Sequence, residues 1–593
     1  MTDVMPGTAE ALLAGLDPEQ REVALAGRGP VCVLAGAGTG KTRAITYRIA
    51  YAAAAGTADP AHVLALTFTV RAAGELRGRL RQLGAGLVRA STFHAAALRQ
   101  LSYFWPRVVG GRPPQLIDAK AGLVREAAKR ARVRLDVADA AAEIEWAKVT
   151  QVRPDGYVRA AAAAGRSPAA GADNLAAVYA AYEELRRERH LIDFESVLEL
   201  TAAILIDDRA AADQVREVFR HFVVDEYQDV NPLQKLLLDA WLGDRDDLCV
   251  VGDPHQVIYS FTGATPSYLT GFTAEFPAAT MVRLVRDYRS TPQVVAVANQ
   301  LARAAAPLVA QRPPGPRPVL TEYPDDTAEA AGLAVQVRAL LAAEVPAHQI
   351  AVLVRVNADT ERFELALAEA GLPYLVRGAE RFYERPAVRQ ALVLLRAAAR
   401  GEGAAPGEGR DPLPDSVRHV LTGIGFTPSP PSGSRESWES LAAIAQLADD
   451  MHAARPEATL AEFSAELTQR SELGQAPAMD GVTLASMHSA KGLEWDAVLL
   501  PGLVEGLMPI VHARTADAVE EERRLLYVAV TRAREHLYLS WPGRARGAAR
   551  PRSRFLDGIR LGALCETGCE CRPSGPARAA GAVRGQQPQR VLA

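Results

Sequence analysis

Residues 31–42, with the sequence VCVLAGAGTGKT, constrain the fold of this chain more than any other stretch. An apolar run leads into a glycine-rich turn ending in Lys41 and Thr42, which is typical of a strand, a phosphate-binding loop and a helix start. The backbone N–H groups of such a loop, with the positive end of the following helix, can surround a polyphosphate. Lys41 would reach the β- and γ-phosphates, and Thr42 would hold Mg²⁺. The stretch therefore predicts a nucleoside triphosphate site.

This loop departs from the strict pattern at one position. The pattern G-x-x-x-x-G-K-[ST] opens with a glycine where this chain has Ala35. The remaining glycines leave the backbone flexible enough to approach phosphate oxygens. A chance glycine-rich turn is the alternative. The candidate nucleotide-binding residues of this segment are Ala35, Gly36, Ala37, Gly38, Thr39, Gly40, Lys41 and Thr42.

Composition bounds the class of protein. The 593 residues are too many for one hydrophobic core and predict about three or four domains. No apolar run approaches the ~20 residues of a membrane span and no secretory signal is visible, so we expect a cytoplasmic chain without a membrane partner. The net charge of −3 predicts no polyanionic partner, so any such site must be local. Only six of the 67 basic residues are lysines, which makes the positions of Lys41 and Lys491 in motif-like stretches informative.

A second stretch of chemical interest is residues 222–229, with the sequence FVVDEYQD. Apolar β-forming residues lead to Asp225 and Glu226, which places two adjacent carboxylates at the end of a strand. Because side chains alternate along a strand, one carboxylate is predicted to complete the Mg²⁺ shell while the other faces the attacking water. A merely polar strand exit is the alternative.

A third stretch, residues 248–261 with the sequence LCVVGDPHQVIYSF, again joins a strand to a polar turn. Gln256 is a candidate sensor of the γ-phosphate, and Tyr259 and Phe261 are candidate rings for base stacking. Near the N-terminus, Asp17 and the proline after it predict a helix start. The amide of Gln20 in that helix matches an adenine edge, although a surface glutamine is the alternative.

The order and content of these segments resemble the UvrD/PcrA/Rep helicases of superfamily 1. Later segments match as well: residues 284–292 resemble motif IV, 482–509 motif V and 520–533 motif VI, and 351–396 follow the family closely. In motif IV, Asp287 stands where the family usually has asparagine. The resemblance implies an α/β fold of two RecA-like P-loop NTPase domains with parallel sheets, each carrying a mainly helical insertion. It implies an ATP-dependent 3′–5′ DNA helicase or translocase that uses ATP and Mg²⁺ in DNA repair or recombination.

The resemblance also assigns roles to residues of the nucleotide site. Gln20 and Arg43 would contact adenine, Tyr288 would stack on it and Glu494 would touch the ribose. Lys41 and Thr42 would bind the phosphates and Mg²⁺, Asp225 the metal, and Glu226 would position or deprotonate the water. Gln256 remains the γ-phosphate sensor. Arg289 and Arg532 would act as arginine fingers, because charge builds on the γ-phosphate oxygens during hydrolysis.

A further set of residues corresponds to family positions that line single-stranded DNA. Phe261 stands where the family usually has tryptophan, so we expect a weaker grip on a base, within the ~1–3 kcal/mol that such stacking supplies. We also expect strong salt dependence and little sequence preference. The residues of this set are Phe68, Thr92, Phe93, His94, Tyr259 and Phe261.

The predicted domain plan follows the family with one reduction. Residues 399–478 offer little more than a short insertion, so translocation is expected more strongly than processive unwinding. Cys565, Cys569 and Cys571 are one ligand short of a structural zinc site. The predicted parts are 1–94 (domain 1A, first part), 95–192 (helical insertion 1B), 193–283 (1A, second part), 284–398 (domain 2A, first part), 399–478 (reduced helical insertion 2B with linker), 479–562 (2A, second part) and 563–593 (disordered basic tail).

Two other functions stay open at this point. One is a single-stranded DNA translocase that strips proteins without processive unwinding. The other is a nucleic-acid-binding module with a degenerate ATPase, against which the intact Lys41, Asp225, Glu226 and Arg532 speak. The expected partners are single-stranded and tailed duplex DNA and a repair protein that loads the enzyme. The expected state is a monomer or a DNA-induced dimer associated with the nucleoid.

Overall fold

The computed structural model describes residues 9–117, 119–376, 383, 386–401, 412–427, 435–472, 481–545 and 547–560. The strands are β1 Val31–Ala35, β2 Val63–Thr67, β3 Arg89–Thr92, β4 Gln115–Leu116, β5 Leu191–Ile192, β6 His221–Val224, β7 Leu248–Gly252, β8 Thr280–Leu284, β9 Arg286–Asp287, β10 Val309–Ala310, β11 Val319–Tyr323, β12 Ile350–Val354, β13 Tyr374–Val376, β14 Val482–Ser486, β15 Trp495–Leu500, β16 Ala533–Pro542, β17 Arg544–Ala545 and β18 Ala548–Ala549. The helices are α1 Ala9–Ala14, α2 Pro18–Leu25, α3 Lys41–Ala54, α4 Val70–Gln82, α5 Phe93–Val108, α6 Ala121–Arg130, α7 Val137–Val149, α8 Tyr157–Ala163, α9 Ala172–Glu188, α10 Phe194–Asp207, α11 Arg209–Val218, α12 Pro232–Leu242, α13 Ser267–Thr270, α14 Phe272–Glu275, α15 Pro292–Ala302, α16 Asp326–Ala342, α17 Thr360–Glu369, α18 Pro386–Gly401, α19 Leu413–Thr422, α20 Arg435–Ala454, α21 Leu460–Glu472 and α22 Ala516–Val530.

The first sheet has six parallel strands in the order β3-β2-β6-β7-β1-β8. Its inner strands are apolar along their whole length because helices cover both faces of the sheet. Helices α5, α10 and α12 pack on one face, and α2, α3 and α4 on the other. Since β6, β7 and β1 are neighbours, the loops that follow them meet at one sheet edge, where open α/β sheets bind ligands.

The second sheet also has six parallel strands, in the order β11-β16-β15-β12-β14-β13. Helices α15 and α22 pack on the face towards the first sheet's loops, and α16 and α17 pack on the other face. We call the part around the first sheet the first lobe and the part around the second sheet the second lobe. Together with the helical insertions, these sheets confirm the predicted α/β fold class.

Each lobe carries a helical unit with its own core. In the first lobe, α6 to α9 enclose Trp146, Tyr157 and Tyr182, and the short parallel pair β4–β5 closes the base of this insertion. At its junction with the sheet, Lys148 on α7 contacts Asp193, the N-cap of α10, at 2.8 Å, with both side chains buried. In the second lobe, α18 to α21 form the corresponding core.

The packing bears on the predicted domain limits. The limit between residues 94 and 95 falls inside α5, whose Phe93, Ala97 and Leu101 pack in the core of the first sheet. The limit between 398 and 399 falls inside α18, which packs in the core of the second insertion. We therefore propose that insertion 1B begins after α5 and insertion 2B with α18.

Several predicted features lie outside the described residues. They are the linker segments 402–411 and 428–434, the basic tail 563–593 and, with it, Cys565, Cys569 and Cys571. Among the residues that are described, no helix is both long and apolar enough to cross a membrane.

Candidate active site

A cavity of about 360 Å³ lies where the first sheet's loops face the second lobe. Both lobes contribute to its walls, although their residues are far apart in the sequence. The lining residues are Gly36, Ala37, Gly38, Thr39, Gly40, Lys41, Thr42, Arg43, Arg79, Glu226, Gln256, Tyr288, Arg289, Gly492, Glu494 and Arg532. The structure thus gathers most of the predicted nucleotide-site residues around one space.

The glycine-rich loop forms the first wall and explains the departure at Ala35. Ala35 is the last residue of β1 and is buried, so the departure lies in the strand rather than in the turn. The close approach occurs at Gly36, where an added Cβ would overlap the side chain of Leu308. Thr39 folds the loop back by donating its hydroxyl to the carbonyl of Gly36 at 2.9 Å.

The carboxylates after β6 form the second wall. The ammonium of Lys41 lies 3.3 Å from Oε2 of Glu226. Asp225 is buried and is not among the lining residues. The strand ends at Val224, and Glu226 has a left-handed backbone with φ 52°. The predicted alternation along a strand was therefore wrong: a backbone turn that non-glycine residues rarely adopt directs the two carboxylates.

The electrostatics of this wall are unequal. Burial, with the nearby charge of Glu226, raises the pKa of Asp225 to about 7. Burial opposes ionisation of Glu226 as well, but Lys41 and Lys491 lower its pKa to about 2. Burial alone would lower the pKa of Lys41, yet the neighbouring carboxylates outweigh it and the pKa is raised. Glu226 and Lys41 are consequently a fully charged pair at neutral pH.

Two arginines from the second lobe form the third wall. Arg532 is 2% exposed and donates to the carbonyls of Val528 and Leu493 and to the hydroxyl of Thr531. Within the described part of the chain no carboxylate lies within 4.0 Å of its guanidinium, and burial lowers its pKa to about 9. A buried cation that is bonded only to neutral oxygens suits an anionic ligand.

Arg289 has a carboxylate partner in this structure. Its Nε lies 2.5 Å from Oε2 of Glu494, while Arg534 donates to the other oxygen at 2.6 Å. Although burial opposes it, these two cations lower the pKa of Glu494 to about 2. The backbone of Arg289 is fixed by Asp287, whose Oδ1 accepts its N–H at 2.8 Å. The amide oxygen of asparagine would accept the same bond, so Asp287 fills that local role.

The end of the cavity expected to hold the base is built from α2 and the segment after β9. Gln20 is buried and donates its amide to the carbonyl of Thr39 at 3.2 Å. Tyr288 is 45% exposed and donates its hydroxyl to Asp17 at 2.7 Å. Arg43 donates to the carbonyl of Gly15 and lies over the ring of Tyr47. Gln20 is thus not a surface residue, and Tyr288 keeps an exposed ring.

Several residues join the lobes at this site, and sequence reasoning missed Asp253 and Tyr527 among them. Gln256 lines the cavity and donates its side chain to Asp253, while its carbonyl accepts from Lys491 at 2.9 Å. Lys491 also lies 2.5 Å from Oδ2 of Asp229. The hydroxyl of Tyr527 lies 3.4 Å from the carboxylate of Asp253. Only the rarity of lysine in this chain had pointed to Lys491.

Arg79 was also missed. It projects from α4 into the cavity, and its charge acts on Asp225. The signal in the sequence was a run of alternating arginines, Arg77, Arg79 and Arg81, soon after the end of β2. Such a run reads as a solvated helix face unless the packing is known.

An aromatic cluster lies where the two lobes contact each other. The ring of Phe261 is 54% exposed, with its centroid 6.1 Å from that of Tyr259 and 5.8 Å from that of His488. Tyr259 donates its hydroxyl to the carbonyl of His488 at 3.3 Å. Burial and the charge of Arg355 lower the pKa of His488 to about 4, so this ring is neutral at neutral pH. His488 completes the cluster from the second lobe.

The other predicted DNA-lining residues divide into two groups. Phe93, predicted to line DNA, is 1% exposed and stacks on Trp241 with ring centroids 6.0 Å apart, so the structure places its side chain in the core of the first sheet. It is the first residue of α5 and turns into the core. Thr92 is buried and caps the same helix. Phe68 is half-buried. The ring centroid of His94 lies 5.9 Å from that of the exposed residue Phe194.

Comparisons with known proteins agree with this arrangement. The family model described as UvrD/REP helicase N-terminal domain matches residues 16–277, and that described as UvrD-like helicase C-terminal domain matches 282–404 and 418–543. The chain is 51% identical over 583 residues to ATP-dependent DNA helicase UvrD2 of Mycobacterium tuberculosis, covering 93% of this chain and 82% of that protein. It is 29% identical over 670 residues to UvrD1 of the same species, covering 93% and 86%. It is 28% identical over 646 residues to the putative ATP-dependent DNA helicase YjcD of Bacillus subtilis, covering 93% and 82%.

Proposed function

Because this chain belongs to the UvrD-like family of ATP-dependent DNA helicases, we propose that it moves 3′ to 5′ on single-stranded DNA and unwinds 3′-tailed duplexes. The chain uses ATP and acts on DNA, and the two lobes built around the six-stranded sheets are the RecA-like domains of the family. The direction of movement, the preference for tailed duplexes and the roles of individual residues are the finer parts of the proposal.

One observation carries the proposal: Lys41 and Arg532 line the same cavity from opposite lobes. During hydrolysis, negative charge develops on the oxygens of the γ-phosphate. The guanidinium groups of Arg289 and Arg532 can stabilise this charge only while the second lobe is closed on the first. Closure of the lobes is thereby coupled to hydrolysis, and reopening after product release completes a cycle of movement.

The residues present also fit Mg²⁺. Asp225 is a buried carboxylate, and within the described residues no lysine or arginine nitrogen lies within 4.0 Å of it. Thr42 adds a hydroxyl at the start of α3, and oxygen ligands are those that Mg²⁺ prefers. When bound, the ion neutralises charge on the β- and γ-phosphate oxygens. Glu226, held by Lys41, positions the attacking water, and Gln256 senses the γ-phosphate.

The nucleoside contacts follow from the same walls. Tyr288 offers an exposed ring to the adenine, with Gln20 and Arg43 at its edge. Glu494 reaches the ribose, although in this structure it is held by Arg289. We propose that nucleotide binding exchanges this partner, so that Arg289 turns to the γ-phosphate while Arg534 keeps Glu494 in place.

The DNA strand would pass the aromatic cluster of Tyr259, Phe261 and His488. These rings lie where the two lobes contact each other, and a base can stack on the exposed surface of Phe261. Phe68 and His94 continue the surface on the first lobe. Stacking of this kind tolerates any base, so the enzyme is expected to lack sequence preference.

A second candidate function is a translocase that strips proteins from single-stranded DNA without separating strands. The compact second insertion favours it, because the described residues give this unit a core of only four helices, α18 to α21. A small unit offers little surface for the duplex ahead of the motor.

The deciding experiment measures ATP turnover and strand displacement on 3′-tailed, 5′-tailed and blunt duplexes, with Lys41→Ala as the site control. We expect displacement from the 3′-tailed duplex alone, and a loss of turnover of about 100- to 1000-fold in the variant. Turnover stimulated by DNA without displaced strand would favour the stripping translocase. Turnover unaffected by Lys41→Ala would overturn the site assignment.

We also propose that a monomer or a DNA-induced dimer is the working unit, that a repair protein loads it, and that binding to DNA keeps it at the nucleoid. Sedimentation velocity with and without a 3′-tailed duplex tests the oligomeric state. A monomer without DNA, together with a complex of one protein chain per duplex when DNA is present, would exclude the dimer.

A further inference from the structure

Residues 259–263, which we call the platform loop, lie where the first lobe, the second lobe and the first helical insertion meet. Tyr259 contacts His488 in the second lobe, and the backbone N–H of Ser260 donates to Glu521 of α22 at 3.0 Å. The loop itself belongs to the first lobe. Its other neighbour is the helical insertion made of α6 to α9. The insertion contacts the loop through the side chain of Arg166 and through a close approach to the backbone of Gly263.

The arginine is Arg166, which follows α8. Its guanidinium forms a two-bond salt bridge with Glu143, at 2.8 Å and 3.0 Å, and lies 4.6 Å from the ring centroid of Trp146. Glu143 also accepts the hydroxyl of Tyr157 at 2.6 Å. A side chain held on two sides in this way loses little further freedom on making another bond. Its remaining NH1 group donates to the carbonyl of Phe261 at 3.2 Å.

The backbone contact is at Gly263. Its φ is +91°, and a Cβ added there would lie 2.8 Å from Cγ2 of Val149 and 3.2 Å from Cγ2 of Thr150. Only glycine fits both the left-handed backbone and the space left by the end of α7. The insertion thus presses on the platform loop beside the point where Arg166 binds it.

We propose that Arg166 is a positioning residue for DNA binding, which fixes the carbonyl, and with it the ring, of Phe261 at the height where a base stacks. Insertion 1B then contributes to the affinity for DNA through the position of Phe261, without contacting the base itself. The inference rests on the proposed role of Phe261. It adds that the orientation of this ring depends on a side chain from another unit of the fold.

The test measures fluorescence quenching of 2-aminopurine in single-stranded DNA, the DNA concentration that gives half-maximal ATPase, and ATP turnover without DNA. We expect Arg166→Gln to reduce quenching and to raise the half-maximal DNA concentration by about tenfold, with DNA-free turnover unchanged. Arg166→Lys should fail to rescue, because an ammonium cannot keep the two-bond bridge, the ring contact and the carbonyl together. Arg159→Gln on α8, an exposed arginine of the same insertion, is the charge-matched control and should behave as wild type.

Gly263→Ala provides a second perturbation that leaves the Arg166–Glu143 bridge in place. It should reproduce the phenotype of Arg166→Gln, because the added methyl group displaces the same loop at the neighbouring contact with α7. Arg166→Gln with unchanged quenching and stimulation overturns the inference, and so does a loss in Arg166→Gln that Gly263→Ala does not share. Phe261→Ala tests the stacking role separately from the role of Arg166. If Phe261→Ala leaves the quenching unchanged, Phe261 does not stack on a base, whatever the effect of Arg166→Gln.

Discussion

Replacing Phe261 by alanine should weaken binding to single-stranded DNA by a calculable amount. Stacking of a base on an aromatic side chain is worth about 1–3 kcal/mol. Phe261 is 54% exposed, and its ring already packs against Tyr259 and His488, so we expect the lower part of this range. A loss of about 1–2 kcal/mol corresponds to a Kd about 5- to 30-fold higher.

The assay is fluorescence anisotropy with a labelled oligo-dT at one fixed salt concentration, since salt alone changes such affinities. Phe261→Trp should shift the Kd in the opposite direction, because indole offers a larger stacking face. Tyr103→Ala is the control and should leave the Kd unchanged. Tyr103 is 45% exposed, but Arg107 covers the face of its ring and Gln214 donates to its hydroxyl. A Kd for Phe261→Ala within about twofold of wild type would refute the stacking argument.

Three further predictions concern the site, the fold and the DNA. Arg289→Gln should lower kcat by about a thousandfold or more with little change in ATP affinity, measured by single-turnover hydrolysis and nucleotide titration. Lys148→Met should destabilise the first lobe by about 3–5 kcal/mol in urea unfolding, because it leaves Asp193 buried without its cation, whereas Lys129→Met on the surface should be neutral. Burial alone would raise the pKa of Asp193, but Lys148 lowers it, so this stabilisation holds at neutral pH and fades as acid protonates the carboxylate. The logarithm of DNA affinity should fall with the logarithm of salt at about 0.7 per phosphate neutralised, and a flat response would contradict an electrostatic grip.

The sequence predicted which segments of the first lobe meet at the cavity, because each motif there is a strand followed directly by a polar turn. Lys41 and Glu226 follow β1 and β6, which are separated only by β7, and so their meeting follows from the parallel order. Phe93 shows where this logic stops. At the junction of a strand and a helix, one residue decides whether a ring turns outward or into the core, and the pattern of apolar residues is the same for both.

Contacts between distant segments were not predictable from a single sequence. Tyr527 and Lys491 reach the loop of Gln256 from the second lobe, and Arg166 reaches Phe261 from the insertion. No local pattern encodes such pairs, because each depends on how three separately folded units pack. The predicted domain limits at 94 and 398 fall within helices α5 and α18 for the same reason, because composition does not reveal which core a helix joins.

Gln256, the proposed γ-phosphate sensor, and Phe261, the proposed stacking residue, lie on one short segment that contacts both lobes and the first insertion. This arrangement has a consequence for how the motor can fail. Substitutions that loosen the segment from Gln256 to Phe261 should uncouple ATP hydrolysis from translocation, because hydrolysis would proceed while the DNA strand slips past the ring of Phe261. Such uncoupled variants would show normal activity in an assay of phosphate release and no activity in an assay of translocation along DNA. The ratio of the two, rather than either alone, is the quantity that natural variants of this chain should be judged by.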